Sequence, residues 1–284
     1  MIYYISFQAL GDNLISLSFL KQLNIKANVL GTSHTINISK LIKGDNELNI
    51  NVLFDDIPAF YDIRKKGFIK ASKDLYKFIK FIKSNEVKIL VFEKKDLRSS
   101  LVVFFTNVQV YYPNDLNLKV YQHRAELISD IYKQKVSLNS YKLQLNTPKK
   151  IIINPLTRVE IKNIKHNHLD YIITKLAKYG YEIYLIDIND EYPEFKNKVQ
   201  YYLTNTTLND VKNIIDDCSL YIGGDSFLIH LAYYLKRNYF IIFYRDNDDF
   251  LPPNIENDFY IKAHIGDDFE KELNDKFKNI GLIK

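Results

Sequence analysis

Short apolar runs alternate with longer amphipathic stretches along the first half of the chain. The short runs are typical of buried strands, and the stretches between them place an apolar residue at every third or fourth position, which is typical of helices. Residues 73–83 show this helical spacing, with Phe78 and Ile82 on one side and lysines on the other. The predicted strands of this half are residues 2–7, 27–30, 50–54, 88–92 and 108–111.

The same alternation restarts after a polar stretch at residues 141–150, whose second half, residues 146–150, is typical of a linker. Its predicted strands are residues 151–154, 181–186, 220–222 and 239–243, and its predicted helices are residues 168–179, 208–218, 227–235 and 267–279. Strands that alternate with helices form parallel sheets covered on both faces. We therefore predict an α/β protein with two doubly wound, Rossmann-like domains, residues 1–146 and 147–284. The last helix is a candidate to pack back on the first domain.

Charge and cysteine content exclude several classes of protein. Lys and Arg total 39 against 34 Asp and Glu, and the net charge of +5 is too small for a dedicated nucleic-acid-binding protein. A single cysteine, Cys218, excludes a disulfide framework and a cysteine-based zinc site. No apolar run approaches the ~20 residues that span a bilayer, and the N-terminus lacks the basic start of a secretory signal. We therefore expect a cytoplasmic location.

Ligands of doubly wound sheets bind where strands end and helices begin, so the loops at those points are the candidate binding sites. The first such loop contains Gly11, Asp12 and Asn13. Glycine permits close approach of a ligand to the backbone. Asp12 is either the N-cap of the following helix or a carboxylate that faces a ligand, and the two interpretations are compatible.

The second loop, residues 154–162, contains Thr157, Arg158 and Lys162. A hydroxyl and two cations suit the oxygens of a phosphate. The alternative is a charged loop that is merely solvated.

The third loop contains Gly223, Gly224, Asp225 and Ser226, and an apolar helix follows it. Glycines before a helix N-terminus are typical of an anion site. His230 lies four residues after Ser226, so both share one helix face, although a lone histidine is more often a core residue. Because Asp225 would repel a phosphate, it is better suited to cap the helix or to bind a neutral hydroxyl.

Taken together, these loops resemble those of glycosyltransferase family 9, the heptosyltransferases of lipopolysaccharide synthesis, which have the GT-B fold of two Rossmann-like domains facing a central cleft. The similar segments are residues 9–14, 89–101, 108–112, 154–162 and 220–232. The most specific is the last, where Asp225-Ser226 and His230-Leu231-Ala232 are similar to the family's Asp-Ser/Thr-Gly…His-Leu-Ala signature.

Two positions depart from the family pattern. Phe227 stands where the family usually has glycine, which narrows the approach to the helix N-terminus. Leu156 follows Pro155 where the family commonly has a Pro-Gly pair.

The resemblance implies a role for each candidate residue. Asp12 would be the general base that takes the proton of an acceptor hydroxyl. A nucleotide diphosphate leaves, so its developing charge requires hydrogen-bond donors. Asp225 would bind a hydroxyl of the donor sugar, and Asp187 or Glu191 the ribose. The implied donor-binding residues are Thr157, Arg158, Lys162, Glu191, Gly224, Asp225, Ser226, Phe227 and His230, and the implied acceptor-side residues are Gly11, Asn13 and Arg98.

The function implied is inverting transfer of a sugar, most simply heptose from ADP-heptose, to a hydroxyl of a bacterial surface glycan such as the lipopolysaccharide or lipooligosaccharide core. The resemblance implies neither a metal nor a cofactor, since the nucleotide-diphospho-sugar is a co-substrate. It implies no nucleic-acid partner. A lipid-linked acceptor would bring peripheral contact with the inner membrane. Two alternatives stay open: another donor such as a UDP-hexosamine, and a non-catalytic nucleotide-sugar-binding protein. A serine hydrolase using Ser226 is disfavoured, because the nucleophile elbow requires glycine where Leu228 stands.

Overall fold

The chain forms two compact units, Met1–Leu138 and Asn139–Lys284. The computed structural model describes residues 1–7, 9–44, 46–92, 97–112, 119–139, 141–145, 149–244, 249–253, 255–263 and 268–284, with residues 97 and 98 described through their backbone only. The boundary between the units lies eight residues before the predicted one at 146/147.

The first unit is built on a five-stranded parallel sheet in the order β3-β2-β1-β4-β5. Its strands are β1 (Ile2–Ser6), β2 (Asn28–Thr32), β3 (Asn49–Phe54), β4 (Ile89–Val91) and β5 (Gln109–Tyr111). Its helices are α1 (Leu10–Leu20), α2 (Ser33–Leu41), α3 (Ile63–Lys66), α4 (Phe68–Ser84), α5 (Leu97–Thr106) and α6 (Val120–Tyr132). The chain moves outward from β1 to β3 and then crosses to β4, so the topological switch point lies between β1 and β4.

An aromatic cluster forms the core on one face of this sheet. The ring of Phe7 meets Phe54 and Phe78 edge to face, at centroid distances of 5.3 and 5.5 Å. Phe78 and Ile82 are buried on the inner face of α4, as their helical spacing predicts. The structure begins this helix at Phe68, five residues before the predicted start.

The second unit is built on a six-stranded parallel sheet in the order β11-β10-β9-β6-β7-β8. Its strands are β6 (Lys150–Asn154), β7 (Glu182–Ile186), β8 (Tyr201–Leu203), β9 (Leu220–Gly224), β10 (Tyr239–Phe243) and β11 (Tyr260–Lys262). Its helices are α7 (His166–Lys178), α8 (Leu208–Asp216), α9 (Phe227–Tyr234) and α10 (Phe269–Asn279). The switch point of this sheet lies between β6 and β9. The short outer strands β8 and β11 were not predicted.

Hydrogen bonds explain why residues 139–145 belong to the second unit. Tyr141 OH donates to the carbonyl of Arg237 at 3.0 Å, and the backbone N–H of Gln144 donates to Asn238 Oδ1 at 2.9 Å. Tyr141 and Gln144, which precede the predicted linker, thus hold this segment against the turn before β10. Residues 146–148 of the predicted linker lie outside the described residues.

The final helix, α10, contributes to the core of its own unit. Phe269, Leu273 and Phe277 are buried together with residues of β6, β7, β9 and β10, and Phe277 meets Phe240 edge to face at 5.2 Å. Its apolar face is therefore occupied within the second unit. Within the described ranges, no helix is both long and apolar enough to cross a bilayer.

Candidate functional site

In the first unit, α1 begins at the carboxyl end of β1, next to the switch point. The N-cap position is Ala9, so Gly11 and Asp12 are the second and third residues of the helix. The prediction that Asp12 is the N-cap is therefore wrong. Asp12 lies instead in the first turn, where a carboxylate interacts favourably with the helix dipole.

Arg124 of α6 binds the Asp12 carboxylate. Its Nη2 donates to Asp12 Oδ1 at 2.8 Å, while its Nη1 donates to the Asp12 carbonyl and to Ser16 Oγ. The Arg124 side chain is 7% exposed and the Asp12 side chain 19%. Among the described residues, the second carboxylate oxygen of Asp12, Oδ2, has no hydrogen-bond partner. The arginine fork therefore fixes the carboxylate and leaves one oxygen available to a ligand.

Arg124 was not among the predicted site residues, although its position in the sequence carries a signal. In α6 it lies on the apolar face, three residues after Tyr121 and four before Ile128, and both of these are buried. An arginine on the buried face of a helix requires a partner, because an unpaired buried charge is costly.

Asn13, the residue after Asp12, is fully buried. Its Oδ1 accepts a hydrogen bond from Ser6 Oγ at 2.6 Å, and Ser6 is also fully buried. This corrects the expectation that Asn13 faces the acceptor: the side chain holds α1 against β1 instead. Arg98, the cation among the implied acceptor-side residues, lies in α5, and its side chain is outside the described residues.

In the second unit, the two predicted donor loops meet at the switch point. Asn154, at the end of β6, is paired with Gly223 of β9. The loops that follow these strands are joined by an ion pair between Lys162 Nζ and Asp225 Oδ2, both of them largely buried. The cation predicted to bind phosphate is thus neutralised by the carboxylate predicted to bind a sugar hydroxyl.

Gly224 allows the two loops to approach this closely. A Cβ atom at this position would lie 2.7 Å from the carbonyl oxygen of Lys162 and 3.1 Å from Thr157 Cγ2. Because the nearest atom belongs to the backbone, it cannot turn aside as a flexible side chain could. Gly224 is therefore required by the packing of the two loops.

Thr157 and Arg158 have different surroundings within their loop. The Thr157 hydroxyl donates to the carbonyl of Val159 at 2.8 Å, and its backbone N–H donates to Asn163 Oδ1 at 2.7 Å, so the residue holds the turn together. Arg158 is exposed and, among the described residues, forms no ion pair. Its guanidinium group is available to an anionic ligand.

The start of α9 carries the remaining predicted donor residues. Ser226 occupies the N-cap position in extended conformation, but its side chain makes no cap hydrogen bond. Within the described part of the chain, Ser226 Oγ and the Tyr221 hydroxyl are both buried without a hydrogen-bond partner. Burial raises the pKa of Tyr221, so its hydroxyl stays protonated. Phe227 is half-buried and His230 is buried.

The side chain of Ser226 therefore faces the protein interior in this structure, so a donor-binding role of this residue would use its backbone rather than its hydroxyl. The first backbone N–H groups of a helix have no partner within the helix. At the start of α9 they are the donors that an anion could use.

The two carboxylates considered for the ribose, Asp187 and Glu191, differ in burial. Asp187 is fully buried and accepts hydrogen bonds from the backbone N–H groups of Glu191 and Tyr192 at 3.0 and 2.6 Å, and from the Tyr202 hydroxyl. It is occupied in fixing the loop after β7. Glu191 is exposed on that loop, with Asn189 as a hydrogen-bond donor at 2.9 Å.

No group of three or more His, Cys, Asp or Glu side chains within the described ranges is placed to hold a metal ion. Metal independence of the reaction stays a prediction.

The chain matches the model of a known protein family. The model for "Glycosyltransferase family 9 (heptosyltransferase)" matches residues 106–280, more than half of the chain. This range includes both loops at the switch point of the second unit and excludes Asp12. No curated protein matches the chain.

Solved structures match almost the whole chain at low sequence identity. E. coli heptosyltransferase WaaC with ADP-2-deoxy-2-fluoro heptose is 13% identical, with a TM-score of 0.69 over 98% of this chain and 99% of that one. A family 9 glycosyltransferase from Veillonella parvula DSM 2008 is 11% identical, with a TM-score of 0.67 over 100% and 90%. E. coli ADP-heptose lps heptosyltransferase II is 14% identical, with a TM-score of 0.63 over 99% and 98%. These likenesses confirm the predicted GT-B fold.

Proposed function

Because this chain belongs to glycosyltransferase family 9, we propose that it transfers a sugar from a nucleotide-diphospho-sugar to a hydroxyl of a saccharide acceptor. The observation that carries this proposal is the junction of two loops at the switch point of the second unit, where the Lys162–Asp225 ion pair lies beside the start of α9. Switch points are where doubly wound sheets bind nucleotides.

The diphosphate of the donor would be bound by the backbone N–H groups at the start of α9 together with two cations. Arg158 is exposed and unpaired among the described residues, so it can meet a phosphate directly. Lys162 is held by Asp225 and must be shared or released when a phosphate arrives. Its release would free Asp225 to accept a hydrogen bond from a hydroxyl of the donor sugar, and Glu191 is the exposed carboxylate for the ribose.

Asp12 would act as the general base. Its free oxygen, Oδ2, would take the proton of the acceptor hydroxyl while the acceptor oxygen attacks the anomeric carbon of the donor sugar. The bond from that carbon to the diphosphate oxygen breaks, and its electron pair leaves with the nucleotide diphosphate. A single displacement of this kind inverts the anomeric configuration. Arg124 would hold the carboxylate in place during the proton transfer.

The charge that develops on the leaving diphosphate would be stabilised by the same N–H groups and cations that bind the donor. Such fixed donors are effective because they need no reorganisation during the reaction. With Arg158, Lys162 and the helix start assigned to this role, the proposed reaction requires neither a metal ion nor a cofactor.

We propose ADP-heptose as the donor and the core of lipopolysaccharide or lipooligosaccharide as the acceptor. Support comes from the printed names of two matching structures, one described with ADP-2-deoxy-2-fluoro heptose and the other as an ADP-heptose lps heptosyltransferase. An acceptor of this kind is lipid-linked, which would place the enzyme at the cytoplasmic face of the inner membrane.

A thermal-shift panel followed by a transfer assay tests the proposal. A ligand that binds only the native state raises the unfolding temperature by mass action. We expect ADP-heptose and ADP to give the largest shifts, and mass spectrometry to show one added heptose on a core acceptor. A larger shift with a UDP-hexosamine would overturn the donor assignment, and binding without transfer to any core acceptor would overturn the assigned activity.

A further inference from the structure

A short helical segment of the first unit carries more positive charge than the whole chain. Residues 63–84, which form α3 and α4, contain eight Lys or Arg and a single acid, Asp74, for a net charge of +7. The whole chain carries +5, so the remainder is slightly acidic. Positive charge is therefore concentrated on one part of the first unit.

One face of α4 combines these cations with exposed apolar side chains. We call this face the α4 outer stripe; it consists of Ile69, Lys73, Tyr76, Lys80 and Lys83. Their spacing of four, three, four and three residues places them along one side of a helix. Ile69 is 74% exposed and Tyr76 68%.

The opposite side of α4 is the one that packs on the core. Ala71, Phe78 and Ile82 are buried there. The outer stripe is thus directed away from the sheet, and folding of the unit does not depend on its apolar members.

The cations of the outer stripe are not neutralised by neighbours. Within the described residues, Lys73, Lys80 and Lys83 form no ion pair. Asp74, the only acid of the segment, accepts a hydrogen bond from the backbone N–H of Ala59 at 2.7 Å. The carboxylate that could have balanced this charge is thus used to hold the chain on the inner side of α4.

Helix α5 adds further apolar exposure to the same helical layer, since it packs against α4. Phe104 is 82% exposed, and its neighbour Phe105 lies edge to face with it at 5.2 Å. Large apolar side chains exposed together with cations mark an interaction surface.

We infer that the α4 outer stripe and Phe104 bind the surface of a bilayer that contains anionic phospholipids. Lysines on a protein surface are attracted to anionic headgroups, and aromatic and aliphatic side chains gain by entering the boundary between headgroups and acyl chains. This combination favours a lipid surface over a nucleic acid, which would use the cations but gain little from an aliphatic side chain such as Ile69. None of the residues named for this surface is among those proposed to bind the donor or to take part in the reaction.

Vesicle sedimentation with the full chain tests the inference without any sugar substrate, so the result is independent of the proposed function. The probes are vesicles of phosphatidylcholine alone and of phosphatidylcholine with phosphatidylglycerol. We expect binding only to the second kind. The variant Lys73→Gln/Lys80→Gln should bind about thirtyfold more weakly, from the typical contribution of each cation near an anionic surface. The control Lys178→Gln/Lys271→Gln removes the same charge from exposed positions of the second unit and should bind as the parent does.

A second variant separates a lipid surface from other polyanions. Ile69→Ser/Phe104→Ser changes exposed side chains only and should fold normally, as circular dichroism can verify. It should weaken vesicle binding while leaving retention on a heparin column unchanged. The inference would be overturned if the parent, the Lys73→Gln/Lys80→Gln variant and the Ile69→Ser/Phe104→Ser variant bound vesicles equally. Binding to single-stranded RNA that is tighter than to vesicles and is lost in the lysine variant would also overturn it.

Discussion

Arg124 of α6 donates one hydrogen bond to Asp12 Oδ1, at 2.8 Å, and a second hydrogen bond to Ser16 Oγ, at 3.0 Å. The guanidinium group thus ties the first two turns of α1 to α6. This contact fixes Oδ1 of the Asp12 carboxylate, while Oδ2 has no hydrogen-bond partner among the described residues. A general base requires both features, since it must be held in position and must also reach its proton.

Replacing Asp12 with asparagine should abolish most transfer without loss of donor binding. Asn keeps an oxygen for Arg124 but cannot accept a proton, so kcat should fall by about 10²–10⁴-fold. Steady-state kinetics and calorimetry with the donor measure the two effects. The matched control is Asp130→Asn, an exposed acid of α6, which should retain full activity. An Asp12→Asn variant that turns over normally would remove Asp12 from the mechanism.

Replacing Arg124 with lysine should slow catalysis through positioning. Lysine keeps the charge but lacks the planar fork that reaches both Asp12 and Ser16. We expect kcat to fall by about 10–100-fold with the KM for the donor unchanged, and the free energy of unfolding to fall by about 1–3 kcal/mol. Arg64→Lys, on the exposed face of α3, is the control. A KM effect with normal kcat would instead indicate that Arg124 contacts a substrate.

Because Lys162 and Asp225 form an ion pair, replacing one or the other should have opposite effects on binding of a nucleoside diphosphate. Lys162→Met should weaken binding of a nucleoside diphosphate about tenfold or more, because one charged hydrogen bond to phosphate is lost. Asp225→Asn should leave that binding equal or tighter, since Lys162 is no longer neutralised, while weakening binding of the complete nucleotide sugar. Calorimetry with both ligands measures these effects. Parallel loss of both ligands in the two variants would contradict this division of roles.

Replacing Gly224 with alanine should disturb the two donor loops together. The added methyl group would lie 2.7 Å from the carbonyl oxygen of Lys162, so the backbone must move, at a cost of about 1–3 kcal/mol in unfolding free energy. Urea denaturation measures that cost, and nucleotide binding should weaken as well. In the control, Gly67→Ala, the methyl group meets open space at a φ of +82°, so only backbone strain is expected and nucleotide binding should be unchanged.

The surroundings of His168 should make the free energy of unfolding depend on pH. Its ring stacks on Phe269 at a centroid distance of 3.7 Å, and Nδ1 lies 2.8 Å from the Tyr244 hydroxyl. Burial, with a smaller effect of Lys165, lowers the pKa of His168 from 6.5 to about 4. The unfolded chain therefore takes up a proton at higher pH than the folded chain. The stabilisation is complete above pH 6.5 and is lost as the pH falls towards 4.

The variant His168→Phe keeps a stacked ring but cannot titrate. Its melting temperature should therefore decline less between pH 6.5 and 4.5 than that of the parent, as scanning calorimetry can measure. His34→Phe, at an exposed histidine, should follow the parent profile. Identical profiles for all three proteins would contradict the role assigned to His168.

The sequence by itself determined the fold class and the positions of the candidate loops. Short apolar runs between amphipathic stretches define a parallel α/β architecture, because strand and helix periodicities are local properties of the chain. The glycines before α9 and the cations after β6 were found for the same reason. Strands β8 and β11 were missed because their sequences, Tyr-Tyr-Leu and Tyr-Ile-Lys, lack the unbroken run of Ile, Leu and Val that identified the equally short β4.

Only the tertiary structure decided which candidate side chains are available and which are used internally. The partner of Asp12 lies 112 residues away, and the partner of Lys162 lies 63 residues away. No local pattern encodes such pairs. Burial is equally non-local: Asn13, Asp187 and the hydroxyl of Ser226 are polar residues in the right loops, yet the folded chain surrounds them. The physical reason is that spacing fixes the face on which a side chain lies, whereas its contacts depend on elements that arrive from elsewhere in the chain.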